Sequence, residues 1–163
     1  MISVRRILIG EGELFRQMRL ASLSEAPYAF LSTYKSALER SAESWTAQAD
    51  HSADGPNRAT FFAFSGDSPI GIAALYRDPD RADTGEILQV WVSPEYRGTG
   101  AAVTLLDAVF DWARENGFRR ILANVTRTND RALRFYLRYG FKLFIESSPE
   151  IPENLLLMEI KAE

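Results

Sequence analysis

Residues 93–102 read SPEYRGTGAA. An apolar run, ILQVWV (87–92), precedes them, and VTLLDAVFDWARENGF (103–118) follows. The first run has the branched and aromatic side chains of a strand, and the second has the apolar spacing of an amphipathic helix. An arginine and two glycines therefore fall at a strand-to-helix turn. On the helix, Ala102, Leu106, Val109, Phe110 and Ala113 share a face that can pack on a sheet. Packed that way, the helix start holds its unpaired N–H groups, and the positive end of its dipole, out of the turn. Such a start is an anion site. Gly98 and Gly100 keep side chains off the backbone, Ala101 and Ala102 keep the first turn narrow, and Arg97 adds a fixed positive charge. The predicted ligand is a diphosphate. A glycine turn that serves packing alone is the competing reading. No lysine and hydroxyl residue follow as in a nucleoside-triphosphate loop, and the pattern is not GxGxxG after a first strand, so ATP and dinucleotides fit poorly.

The bulk numbers exclude several classes. A chain of 163 residues, 46% hydrophobic and 25% charged, has the size and composition of one soluble domain. A net charge of −3 gives no footprint for nucleic acid or an anionic membrane. No run approaches the roughly 18 apolar residues of a membrane span. The start, MISVRRILIGEGE, lacks the apolar core and cleavage site of a signal peptide. Neither nucleic acid nor membrane is expected as a partner, and the cytoplasm is the expected location. The absence of cysteine removes disulfides, thiolate zinc sites and any thiol nucleophile. No metal site is expected. The single histidine, His51, lies in QADHSADGPN and reads as a surface loop residue.

Along the chain, residues 2–9 suit an edge strand and 11–23 a helix, broken at Pro27. A second helix is predicted over 36–48 with Leu38 and Trp45 inward, then a loop over 49–58. TFFAFS, the turn signal GDSP and IGIAALY read as a hairpin. A third strand spans 84–92, followed by a helix over 100–116, a strand RILANVT, and a helix over 130–139. Two late strands, FKLFIE and NLLLMEI, flank the loop SSPEIPE. Hairpins followed by strand–helix alternation predict an α/β (α+β) fold with a mixed sheet.

The stretches ILQVWVSPEYRGTGAAVTLLDAVFDWARENG and ILANVTRTNDRALRFYLRYGF resemble the core of the GNAT superfamily of acetyl-CoA-dependent N-acetyltransferases. That family's Arg/Gln-x-x-Gly-x-Gly/Ala is met by Arg97, Gly100 and Ala102, and its Asn-x-x-Ala-x-x-x-Tyr by Asn129, Ala132 and Tyr136, with Gly140 and Phe141 after them. The resemblance covers residues 84–144 and implies one domain over 1–163, with a mostly antiparallel sheet of six to seven strands and about four helices. It implies that amides from Gly98, Thr99, Gly100, Ala101, Ala102 and Val103 bind the diphosphate of coenzyme A. It also implies that the pantetheine arm lies along the backbone of Val90, Trp91 and Val92 like an added strand, one amide polarising the thioester carbonyl. Asn129 serves as a helix N-cap, a cofactor ligand, or both. Tyr136 matches the family's general acid, against a reading as part of an aromatic stripe with Phe135 and Tyr139. Glu86 matches a general base of one branch of the family, and equally suits an exposed strand start. Asn124, where other members keep a glutamate, cannot take a proton. Among the many arginines of 117–142, Arg127 and Arg131 are the expected phosphate contacts.

The implied reaction is direct acetyl transfer to a primary amine of a small molecule or peptide, without a covalent enzyme intermediate. A non-catalytic coenzyme A sensor, or a small adaptor domain, are the alternatives. Dimers are common in the family, and no residue here sets the oligomeric state. The acceptor side is expected in SEAPYAFLSTY and SSPEIPEN, with Tyr28, Phe30 and Tyr34 as walls and Glu146, Glu150 and Glu153 as negative charge.

Overall fold

The structure, a computed structural model, describes residues 1–30, 32–144 and 155–162. Seven strands form one sheet: β1 (Ile2–Arg6), β2 (Arg58–Ser65), β3 (Ser68–Arg77), β4 (Thr84–Val92), β5 (Arg120–Thr126), β6 (Lys142–Leu143) and β7 (Leu155–Lys161). Their order is β1-β2-β3-β4-β5-β7-β6. All neighbours are antiparallel except β4 and β5, which run parallel and are joined through a crossover helix. The α-helices are α1 (Gly12–Glu25), α2 (Tyr34–Leu38), α3 (Ala42–His51), α4 (Ala101–Glu115) and α5 (Asp130–Tyr139). This is the expected α/β architecture with a mostly antiparallel sheet, and it carries five helices rather than four.

Two cores sandwich the sheet. On one face α4 and α5 bury Leu105, Leu106, Val109, Phe110 and Tyr136 against Ala73, Leu75, Ile87, Ile121 and Met158. On the other, α1 and α3 bury Phe15, Met18, Leu23 and Trp45 against Phe62, Ile72 and Trp91. Each fully buried large side chain contributes about 1.5–3 kcal/mol. The buried face of α4 differs from the predicted one by a small rotation. Ala101 and Leu105 are buried, whereas Ala102 is half-buried, because the helix start tilts Ala102 toward the cavity described below.

The helix predicted over 36–48 is two helices. Ser41 is extended at ψ 156, and its hydroxyl accepts from the Ser44 amide, capping α3. Thr33 caps α2 in the same way, through Ser36. α3 continues to His51, which is therefore a helix-terminal residue and not a loop residue; it is exposed. Of the predicted strand FKLFIE only Lys142 and Leu143 pair, and residues 145 and 146 lie outside the described residues. Among the described residues no helix is long and apolar enough to cross a membrane, and no acidic, histidine or cysteine cluster suits a metal.

Candidate active site

The site originates in a fault in the sheet. β4 pairs with β5 only from Thr84↔Arg120 to Ile87↔Ala123. Beyond that point the two strands share no rungs, and the edge of β4 facing β5 is left without ladder partners through Val92. The departure coincides with a bulge. On the β3 side, Ile72 pairs with Trp91 and Ala74 with Leu88, so Gln89 and Val90 together oppose Ala73. Gln89 takes φ +59, the single non-glycine residue of positive φ among those described. A bulge that re-aims a strand beside a site stores backbone strain of about 1–3 kcal/mol.

The end of β4 leads through residues 93–100 into α4. Gly98 and Gly100 adopt φ +80 and +87, conformations that disfavour side chains, and a Cβ built on either would meet no atom within 4 Å. Space opens in front of both. The first helical bond is Thr104 N–H to Gly100 O at 3.0 Å. The successive N–H groups from Gly98 to Val103 have no acceptor among the described residues. Such a row of free donors at the positive end of a helix dipole carries roughly +0.5 charge and suits a diphosphate.

These donors face a cavity of about 460 Å³. Its lining joins the two faces of the sheet through the split: Ala26, Ala29 and Phe30 come from the α1 side, Ala102, Asn129, Phe135 and Tyr136 from the α4–α5 side, and Val90, Trp91 and Val92 from the free edge between them. Gly98, Gly100, Ala101 and Val103 complete the cradle end, with Arg131 and Arg138 supplying positive charge. A strand-shaped arm ending in a diphosphate fits this lining, because the free edge offers ladder positions and the cradle offers amides.

Asn129 takes the N-cap place and also borders the cavity. Its side-chain oxygen accepts from the Ala132 amide at 3.3 Å, capping α5, and the residue lines the cavity. Tyr136 is set by ring contacts with Phe135 at 5.5 Å and Phe141 at 5.1 Å. Burial pushes its phenol pKa well up, so it keeps its proton at neutral pH. Glu86 does not line the cavity. It stands opposite Tyr76 on β3 and Leu122 on β5, at the last rungs before the split, on the α1–α3 face of the sheet. Thr99 lies in the cradle turn, its hydroxyl bonded to Tyr96 O.

Arg97 lines the cavity as well, and its side chain is engaged within the protein. Its guanidinium is turned to Glu25 at the end of α1, and its Nε donates to Val92 O at 3.1 Å. Trp91 Nε1 donates to the same Glu25 carboxylate at 3.1 Å. The arginine therefore ties α1 to the end of β4, and its positive charge already has a partner. Burial opposes ionisation of Glu25, but the hydrogen bonds from Arg97 and Trp91 outweigh it, and the carboxyl is held below its usual range. Arg97→Ala is accordingly expected to cost on the order of 1–2 kcal/mol of stability in denaturant unfolding, with acetyl-CoA affinity changed only a few-fold. Because the folded pKa is depressed, this contribution is full above about pH 5 and fades as pH falls through the lowered value. A large loss of coenzyme affinity at unchanged stability would restore Arg97 to the role of a phosphate ligand.

Of the two expected phosphate contacts, Arg131 lines the cavity and Arg127 does not; Arg138, read from the sequence as helix surface, does. Helical phase places it one turn beyond Arg134 and two residues past Tyr136, and that spacing alone does not reveal the neighbouring α4. Phe30 is a wall, while Tyr28 and Tyr34 are exposed and outside the lining. Glu146, Glu150 and Glu153 lie outside the described residues.

Residues 21–141 match the family model of the Acetyltransferase (GNAT) family. The chain belongs to this family. An uncharacterized N-acetyltransferase of Mycobacterium tuberculosis is 38% identical over 88 residues, 54% of this chain and 55% of that protein. The match thus spans about half the length of the relative. Among solved structures, an acetyltransferase of GNAT family from Streptococcus pneumoniae superposes with TM-score 0.82 at 18% identity, covering 99% of both chains. The PaiA N-acetyltransferase of Thermoplasma acidophilum, solved in complex with coenzyme A, superposes with TM-score 0.79 at 22% identity, again over 99% of both. These likenesses establish the fold, a GNAT sheet split between its fourth and fifth strands.

Proposed function

We propose that this chain is a single acetyltransferase domain that moves the acetyl group of acetyl-CoA to a primary amine of a small molecule or peptide. The observation that carries the reading is the row of unpaired amides from Gly98 to Val103, opening on a cavity that passes through the split sheet. A relative of the same fold solved with coenzyme A supports it. Acetyl-CoA supplies an activated acetyl thioester. The amides of the cradle hold its diphosphate, and Arg131 and Arg138 add positive charge at the same end. Val90, Trp91 and Val92 offer main-chain donors and acceptors to the extended arm, and an amide of this edge at the bulge is aimed to stabilise charge on the thioester oxygen. The Tyr136 hydroxyl gives its proton, or a hydrogen bond, to the departing thiolate. Glu86, on the opposite face, takes the proton of the incoming amine directly or through water. With no cysteine in the chain, no thiol is present to carry the acetyl group, and direct transfer is the consistent route.

Calorimetric titration with acetyl-CoA, with ATP as control, tests the cofactor; thiol release with a panel of amines tests the reaction. Micromolar binding of acetyl-CoA alone, with amine-dependent thiol release, is the expected result. Glu86→Gln is expected to lower kcat/KM for the amine by about 10²-fold or more with acetyl-CoA affinity unchanged. Binding without turnover of any amine would leave a coenzyme A sensor, and no binding by folded protein would reduce the glycine turn to a packing feature.

A further inference from the structure

On the α1–α3 face, next to the cavity, stands a buried positive charge with no counter-ion among the described residues. Arg19, in the middle of α1, is 5% exposed. Its Nη1 donates to Ser22 Oγ at 3.2 Å, and its guanidinium carbon lies 5.0 Å from the centre of the Phe30 ring. No ion pair among the described residues involves it. Stacking occupies the face of the guanidinium and Ser22 takes one edge. The remaining edge, the parallel N–H pair of Nε and Nη2, has no protein acceptor among the described residues. That edge is the fork that matches the two oxygens of a carboxylate.

The surroundings add to the deficit. Arg40 is near enough to repel Arg19, and both arginines lie near the Tyr76 phenol. Among the described residues Arg40 bonds only the neutral Ser44, at 3.0 Å from Nε and 2.9 Å from Nη2 to the hydroxyl. Tyr76 O accepts from Gln48 Nε2 at 2.8 Å, which leaves its own proton to donate. Among the described strand residues two acids share this sheet face: Glu159 is engaged by Arg120 at 2.7 Å, and Glu86 forms no ion pair. Burial lowers the Arg19 pKa to about 10, a cost that an uncompensated charge carries until an anion joins it. The ring under Arg19 is also a cavity wall, since Phe30 lines the cavity. On the same sheet face as Glu86, Leu88 and Leu122 are half-buried and Asn124 is exposed.

We propose that the amine acceptor also carries a carboxylate, which docks on the free edge of Arg19 beside Arg40 and Tyr76. The inference rests on the amine-acetylation reading and narrows its substrate to amino acids or their like. Tyr76 stands directly across from Glu86 in the strand register, so a carboxylate at Arg19 and an amine at Glu86 occupy neighbouring ground on one face. Recognition by a paired fork also rejects neutral isosteres, because the buried guanidinium is then left unpaired.

The test compares matched acceptors that differ only in charge: phenylalanine with phenylalaninamide, and 4-aminobutyrate with 4-aminobutyramide. Wild type is expected to favour at least one acid over its amide by 100-fold or more in kcat/KM. Arg19→Met, which keeps the length of the stem, is expected to bring that ratio near one with acetyl-CoA affinity unchanged. Arg19→Lys, should the methionine variant misfold, is expected to lose about tenfold of the preference. An amide used as well as its acid by wild type, or an acid preference that survives in Arg19→Met, overturns the proposal. If neither member of any pair is acetylated, the amine-acetylation reading falls, and calorimetry of the same acids and amides with coenzyme A present decides on Arg19. Acid binding lost in the variant supports the anion site, and equal or absent binding overturns it.

Discussion

Gly100→Asp is expected to raise the dissociation constant for acetyl-CoA by 100-fold or more while the protein still folds. Gly100 sits at φ +87 as the N-cap of α4, with open space where a Cβ would stand. An aspartate tolerates this conformation better than most residues, at a cost of about 1–2 kcal/mol. Its carboxylate is then placed to accept from the free amides of the first helical turn, as N-cap aspartates do. The side chain thus consumes the donors that the diphosphate needs and sets a negative charge against it. Two charge-assisted hydrogen bonds, at about 1.5–3 kcal/mol each, convert to a loss of roughly 10²–10⁴ in affinity. Gly100→Ala carries the backbone strain without the cap and serves as the control, with a smaller loss. Calorimetry on the two variants separates the effects, and wild-type affinity in Gly100→Asp would remove the cradle from the site.

Tyr136→Phe is expected to bind acetyl-CoA as wild type does and to lower kcat by about 10²-fold or more, within the range for a lost general acid. The ring is held by Phe135 and Phe141, which a phenylalanine serves equally well. Burial raises the phenol pKa, and among the described residues no hydrogen bond to the hydroxyl is lost with the oxygen. The variant therefore reads chemistry rather than stability. Steady-state kinetics with a reactive amine decides it: unchanged kcat returns Tyr136 to the aromatic stripe, where its packing is already sufficient to explain its burial. A fall in kcat with unchanged KM supports a proton given only as the thiolate departs.

Most of the fold was legible because its signals are local. The apolar runs of β2 and β3, the turn between them, and the apolar period of α4 and α5 act over a few residues and survived assembly. The boundary between α2 and α3 was missed although its signal was present. Ser41 with Ser44 is a capping pair, but the inward spacing of Leu38 and Trp45 bridged it, and in the structure Leu38 is exposed. Cap chemistry won over periodicity there. In the candidate site, the cradle glycines, Asn129 and Tyr136 were readable because each serves a fixed place in a turn or on a helix face. Arg138 and Arg19 were not, since a helical arginine shows its surroundings only once neighbouring elements are packed.

By itself the sequence determined the strand–turn–helix that exposes a row of amides, the two positive-φ glycines within it, and the absence of any thiol route. These are properties of chain stiffness, side-chain size and composition, and no distant residue is needed to set them. Tertiary structure alone decided where the charges went. Arg97, a cavity-lining residue, was paired with Glu25, 72 positions away, and so ties α1 to the end of β4. The bulge at Gln89 and Val90 arose from the register of β4 on β3, and the split beyond Ile87 followed where β5 ceased to pair. Among the described residues Arg19 was left without a carboxylate by the packing of α1 over the sheet. Register and burial are sums over many long-range contacts. They fix which side chains meet, and no short stretch of sequence contains that sum.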